Sequence, residues 1–373
     1  MGINFPFPPT EGQVVNVSPG KSFVFRNGYW RLAPLNTALP KNYIINPSMQ
    51  ISQQNGTTLG TTNGYFPADQ WWHQYNVLTT RTGLLSNNSR LFTPYNISWT
   101  PQVAKGSLAA GDYAFLEQRL EGSRTADLMW GTSQAKSVVL RIAVSLAAGT
   151  YTVAIRNADV SRSYVSSFVV PGGGDREFIF VIPGCTDGVW PTGNVFGMSV
   201  SICPSIGSTF HAPAVNQWSN GNYLGIAGMS NFATSTGNSA YLGQIGLYAD
   251  PYKTGIAPDF KLPNYAEELR RCQRYWYRCY GTRGLVQSAT SSSFQTMLHP
   301  AQMRVIPTIT IVGTPRIYDG GGTPAITAFY GNASNEAVTE PHVTCAAGGL
   351  TAGRIGIQYW SAETDYLAVS ARM

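Results

Sequence analysis

Two aromatic–amide clusters carry the most suggestive chemistry in this chain. In the stretch QWSNGNY, Trp218 and Tyr223 stand beside Asn220 and Asn222. In WWHQYN, Trp71, Trp72 and Tyr75 stand beside His73, Gln74 and Asn76. Trp190 adds a further ring next to a Pro-Thr-Gly turn. Sugars present CH faces and hydroxyls, so a ring plane flanked by amides is the chemistry that holds them. The competing use of each ring is packing, in a core or between subunits. Neighbouring strand residues point to opposite faces, so one of Trp71 and Trp72 is expected outward or at an interface. The Trp218–Tyr223 segment reads as a loop, where a ring has no default core to enter.

Catalytic patterns are weaker. His73, His211, His299 and His342 lie far apart, and none sits in a nucleophile motif. The segment from Gly131 to Ala135 lacks the second glycine of a nucleophile elbow. Cleavage of a sugar bond needs two flanking carboxylates. The nearby acids Glu117, Glu121 and Asp127 read instead as a solvated face and turn residues. The chain is therefore expected to be a non-enzyme without a cofactor. Asp69, Asp112, Asp127 and Asp187 fall near expected loops, but no calcium-loop spacing is present and no metal is assigned.

The five cysteines are Cys185, Cys203, Cys272, Cys279 and Cys345, with no CxxC pair or zinc-like spacing. They read as buried thiols. The alternative is crosslinking to another chain, since an odd count leaves at least one unpaired. Net charge is +6, yet no run of five Lys or Arg occurs, so a nucleic-acid partner is not expected. The N-terminus lacks the basic and apolar regions of a signal peptide, and no apolar run reaches a membrane span. Synthesis in a cytoplasm without membrane insertion is the expectation.

The elements that must position these residues read as strands and turns. Gly 39, Pro 23 and only 12% charged residues in a chain of 373 describe a β-rich, loop-heavy, all-β protein. Residues 1–40 form a small module, with strands around Val14–Val17 and Phe23–Phe25 and an Asn27-Gly28 hairpin leading to Tyr29-Trp30. Such a scrap needs docking or assembly for stability. Residues 41–262 hold about ten short strands at sandwich spacing, beginning with Asn42–Asn46. Pro263–Gly281 reads as one amphipathic helix, capped by Asn264, with Tyr265, Leu269, Cys272, Trp276 and Cys279 on its apolar stripe. It opens a unit, 263–373, that continues as a smaller β module. Docking on the chain's own sheets is expected, with Trp276 buried within one chain and Arg274 largely exposed. The alternative is a shared axis between copies.

Several stretches together are similar to one family. They are NYIINPSMQI (42–51), GYFPADQWW (64–72), LEQRLEG (116–122), the strands at 135–144 and 149–157, YAEELRRCQRYWYR (265–278) and LHPAQMRVIPTITI (298–311). PPTEGQ and FVFRNGYWRL near the start resemble a small module found in fibre-like proteins. The chain resembles bacteriophage and prophage virion appendage proteins of tail-fibre, neck-fibre or head-fibre type. Gln70 stands where the family's segment carries arginine. The resemblance implies a carbohydrate-binding-like jelly roll over 41–262 and location in the virion. It implies a homo-oligomer, with a trimer favoured. It also implies attachment to other virion proteins through 1–40, where Phe5, Phe7, Tyr29 and Trp30 are the candidate contacts, and contact with host-surface glycans. The alternative is a purely architectural collar, neck or head-decoration protein that links other virion components.

Overall fold

The computed structural model describes residues 5–11, 13–18, 21–26, 28–32, 40–76, 79–86, 90–281, 283–288, 292–295, 297–346, 349–360, 362 and 364–373. The N-terminal segment is an antiparallel meander of β1 (Val14–Ser18), β2 (Lys21–Arg26) and β3 (Tyr29–Leu32). Its apolar content is a ring cluster. Phe5 stacks on Trp30 with centroids 4.7 Å apart and meets Phe23 edge-on at 5.2 Å.

Eleven strands follow: β4 (Trp71–Tyr75), β5 (Thr80–Leu85), β6 (Asn96–Pro101), β7 (Tyr113–Glu121), β8 (Val138–Ser145), β9 (Gly149–Asn157), β10 (Arg162–Val170), β11 (Arg176–Ile182), β12 (Phe196–Ile206), β13 (Trp218–Asn220) and β14 (Ala240–Ala249). They form a jelly-roll sandwich of two antiparallel sheets, β13-β10-β9-β12-β7-β4 and β11-β8-β14-β6-β5. Alternation explains the layers. Ala114, Leu116 and Leu120 of β7, Tyr151, Val153 and Ile155 of β9, and Met198, Val200 and Ile202 of β12 all enter the core between the sheets. Each large apolar side chain so buried contributes roughly 1.5–3 kcal/mol. The intervening residues of the same strands therefore face away from that core, on the outer face of the six-stranded sheet.

Residues 42–51 are not the expected strand. Asn46 and Met49 have positive φ, and the segment turns instead. Side chains take over its backbone groups. Gln118 accepts from Ile45 N and donates to Ile45 O, both at 2.7 Å. Arg124 donates to the carbonyls of Asn42 and Tyr43. Arg124 belongs to a single helical turn, α1 (Gly122–Thr125), that follows β7.

The longer helix, α2 (Tyr265–Gln273), starts as expected, with Asn264 Oδ1 accepting from Ala266 N and Glu267 N. It stops about two turns earlier than expected: the chain turns at Arg274 and continues as β15 (Trp276–Cys279). Trp276 and Tyr277 favour a strand, and this edge strand has packing partners on both faces. Trp276 packs with Tyr366 and Ala368, while Tyr277 and Cys279 enter a different cluster with Leu367 and Val369. Trp276 is buried within the chain, at 3% exposure. The helix itself docks on the turn segment, where Cys272 and Tyr275 meet Ile45 and Ile51.

The remaining strands are β16 (Arg283–Ser288), β17 (Ser292–Gln295), β18 (Met297–Leu298), β19 (Thr308–Val312), β20 (Arg316–Tyr318), β21 (Ile326–Ser334), β22 (Val338–Cys345), β23 (Ile355–Tyr359) and β24 (Tyr366–Ser370). β15, β24 and β19 make a small sheet, and the others make a seven-stranded one.

Candidate functional site

The outer face of the six-stranded sheet carries a cleft of about 310 Å³. Tyr113, Phe115, Glu117 and Arg119 line it from alternate positions of β7, with Gln74 from β4, Arg156 from β9 and Ser199 from β12. Phe196, Phe210 and Asn222 close its sides. A larger hollow, about 570 Å³, lies beneath residues 258–264, but prolines and charged chains dominate its wall and Tyr248 is its one aromatic ring.

A buried charge network forms the floor. Glu117 is 2% exposed and accepts from Arg119 Nε at 3.1 Å, Ser201 Oγ at 3.2 Å and Arg156 Nη2. Arg156 Nη1 donates to Asn222 Oδ1 at 2.7 Å. The Arg119 guanidinium lies over the Trp72 ring at 4.1 Å and within 5.1 Å of the Phe196 ring. Trp72 in turn lies parallel to Phe66 with centroids 6.2 Å apart, and Arg372 lies over Phe66 at 3.7 Å and over Trp276 at 5.1 Å. Alternating rings and cations thus run from the cleft to β15.

The expected site residues divide. Trp72 and Asn222 belong to this cleft region, Trp72 by supporting Arg119 and Asn222 by lining it. Trp71 is a correction: it is fully buried, and its indole N–H donates to Asn46 O at 3.2 Å, so it offers no face to a ligand. Tyr75 is half-buried against His73, with its hydroxyl on Thr61 O. The loop reading of Trp218 is a second correction, while Trp218 and Trp190 are both only partly buried. Trp218 begins the edge strand β13, paired with β10, and so does have a core to enter. It forms a perpendicular cluster with Trp190 and the buried Trp130, centroids 4.7 to 5.5 Å apart. The N–H groups of Trp218 and Trp190 go to Pro183 O and Asp187 O. Asn220 Oδ1 accepts from Arg162, and Tyr223 packs into a cluster with Phe115 and Cys203.

At the N-terminus, Phe5 and Trp30 are used in the internal ring cluster, whereas Phe7 and Tyr29 are 93% and 69% exposed. All five cysteines are free and buried, which removes accessible thiols from the crosslinking alternative. Glu117 and Glu121 are corrections too: at 2% and 1% exposure they are neither solvated nor in turns, but anchors of ion pairs. Among the described residues no three His, Cys, Asp or Glu gather as a metal site, and no helix is long and apolar enough to cross a membrane.

No protein-family model matches the chain, and no curated protein matches it. Solved structures similar to it include the enzymatically active domain of tailspike protein 4 of bacteriophage CBA120. That pair shares 12% identity at a TM-score of 0.29, over 56% of this chain and 21% of that one. A family 11 carbohydrate-binding module of the cellulosomal cellulase Lic26A-Cel5E of Clostridium thermocellum shares 9% identity at a TM-score of 0.27, over 52% and 96%. A cyclase from Fischerella sp. TAU shares 11% identity at 0.33, over 57% and 98%. These likenesses do not bear on what the chain binds.

Sequence reasoning passed over Arg119, Arg156, Tyr113 and Phe115. A signal was present: on β7, Tyr113, Phe115, Glu117 and Arg119 alternate with the core residues Ala114, Leu116 and Leu120. Polar and aromatic groups alternating with core residues mark a working outer face.

Proposed function

We propose that this protein is a fibre-type virion appendage whose sandwich binds a glycan in the cleft over β7, β9 and β12. The observation that carries the binding half is the cleft's lining. Tyr113, Phe196 and Phe210 supply apolar ring surface over the buried Phe115, and Gln74 and Asn222 supply amides beside it. Rings that take CH faces beside groups that take hydroxyls suit a saccharide better than a flat protein surface. The Glu117–Arg156–Asn222 chain holds that lining in place without any contribution from the ligand. The residues are read as a binding set without catalysis, because both Glu117 oxygens are already engaged by arginines.

The virion half is supported by the appendage-like motifs, among them GYFPADQWW and LHPAQMRVIPTITI. Attachment through residues 1–40 would use Phe7 and Tyr29, the open rings of that module. Assembly as a trimer would turn weak single-site affinity into avidity.

A glycan array and a host-cell adsorption assay with the purified full chain test the binding half. Binding that weakens at least tenfold in Tyr113→Ala and Gln74→Ala is expected. No binding to any glycan or cell removes the reading. Mass spectrometry of purified particles tests the virion half, and absence of the chain from them contradicts it.

A further inference from the structure

We infer that the cleft takes an anionic sugar, one bearing a carboxylate or sulfate. The inference rests on the glycan reading of the same cleft and adds the charge class of its ligand. Three observations carry it.

The first is the count of charges on the lining. Arg119 and Arg156 face one carboxylate, Glu117, which leaves a surplus of one positive charge. The second is which groups are still open. Glu117 already accepts three hydrogen bonds, and Asn222 Oδ1 already accepts from Arg156. The charged acceptor of the cleft is therefore spent, and the Gln74 amide is the acceptor that stays open. The open charged donors are the two terminal nitrogens of Arg119, which have no partner among the described residues, whereas Arg156 Nε and Ser199 Oγ lie buried beneath the lining. A neutral sugar hydroxyl needs acceptors as well as donors, whereas a carboxylate or sulfate only accepts. The third is preorganisation. Arg119 is fixed through Nε by Glu117 and rests on the Trp72 ring, so its free fork is held in one orientation. A planar fork with two free nitrogens matches the two oxygens of an anion.

A small cavity adjoins the cleft. It is lined by Arg119 together with Arg372, whose Nε and Nη2 are unpartnered. The net charge of +6 favours approach of an anionic polymer over a neutral one.

The test is an array that carries each acidic glycan beside its carboxyl-reduced or desulfated counterpart, probed with the full chain and with Arg119→Gln and Arg119→Lys. Thermal melting checks that both variants fold, and Glu117 keeps Arg156 as partner in each. Hits confined to acidic members are expected, with carboxyl reduction or desulfation identifying which anion is read. Arg119→Gln should weaken those hits about ten- to a hundredfold, and Arg119→Lys should restore part of the loss. Equal binding to acidic and neutral partners overturns the charge inference and leaves the glycan reading standing. No hit on any glycan overturns both. Acidic hits unchanged in a folded Arg119→Gln variant also overturn the inference.

Discussion

Arg274 closes on Glu121 with two hydrogen bonds, Nη2 to Oε1 at 2.7 Å and Nε to Oε2 at 3.0 Å. Glu121 ends β7 and Arg274 follows α2, so this pair joins the sandwich to everything after the helix. Tyr275 donates its hydroxyl to Oε2 and Ser123 donates to Oε1, each at 2.8 Å. The arginine expected to be solvated is thus the clasp between two parts of the fold.

Arg274→Ala leaves Glu121 buried without its charge partner, which should cost about 3 kcal/mol of stability. Urea unfolding of the variant checks this, and a double mutant with Glu121→Gln should recover part of the loss. Additive losses in the double mutant would mean that the pair is not coupled.

Stability should fall as pH drops from 7. Burial pushes the His73 imidazole down to about 3, against about 6.5 when unfolded. The unfolded chain therefore takes up a proton between those values that the fold does not, and roughly 2 kcal/mol is lost by pH 5. Burial alone raises the Glu121 carboxyl, but hydrogen bonds from Arg274, Ser123 and Tyr275 outweigh it, and the carboxyl sits below its ordinary range. Its share is present above the unfolded carboxylate pKa and is lost at lower pH still. Melting temperature against pH measures both, and His73→Gln should flatten the curve between pH 6.5 and 5.

Trp218→Ala should destabilise rather than merely change binding. Removing this partly buried ring takes one of three rings from the perpendicular tryptophan cluster and costs about 2 kcal/mol. Calorimetry checks the loss, and an unchanged melting temperature would return Trp218 to the list of free surface rings.

The thiols should be silent in the native protein. Burial raises Cys203 and Cys272 and pushes Cys345 up to about 11. Maleimide labelling at pH 7.5 should therefore modify few thiols until denaturant is added, after which all five of the chain react. A non-reducing gel should show no crosslinked species.

Most of the sandwich was legible because its strands alternate cleanly. The expected strands at 135–144 and 149–157 fall on β8 and β9. Three places misled, each for a physical reason. At Asn42–Asn46 the bonds of a strand are supplied by Gln118 and Arg124, residues distant in sequence. At Trp276–Cys279 a helical spacing coincided with a strand whose two faces are both covered. At Trp218 a short edge strand looked like a loop because Ser, Asn and Gly follow it. The cleft was half visible. Rings and amides announce themselves in sequence, but the Arg156–Glu117 pair exists only because β9 and β7 flank β12 in one sheet.

The most direct test of the central claim is a crystal structure of the full chain soaked with a glycan fragment that it binds. Saccharide density over Tyr113, Phe115 and Arg119 is the predicted result. Density seated instead at the Trp218–Trp190 cluster or beneath residues 258–264, with this cleft empty, would contradict the account.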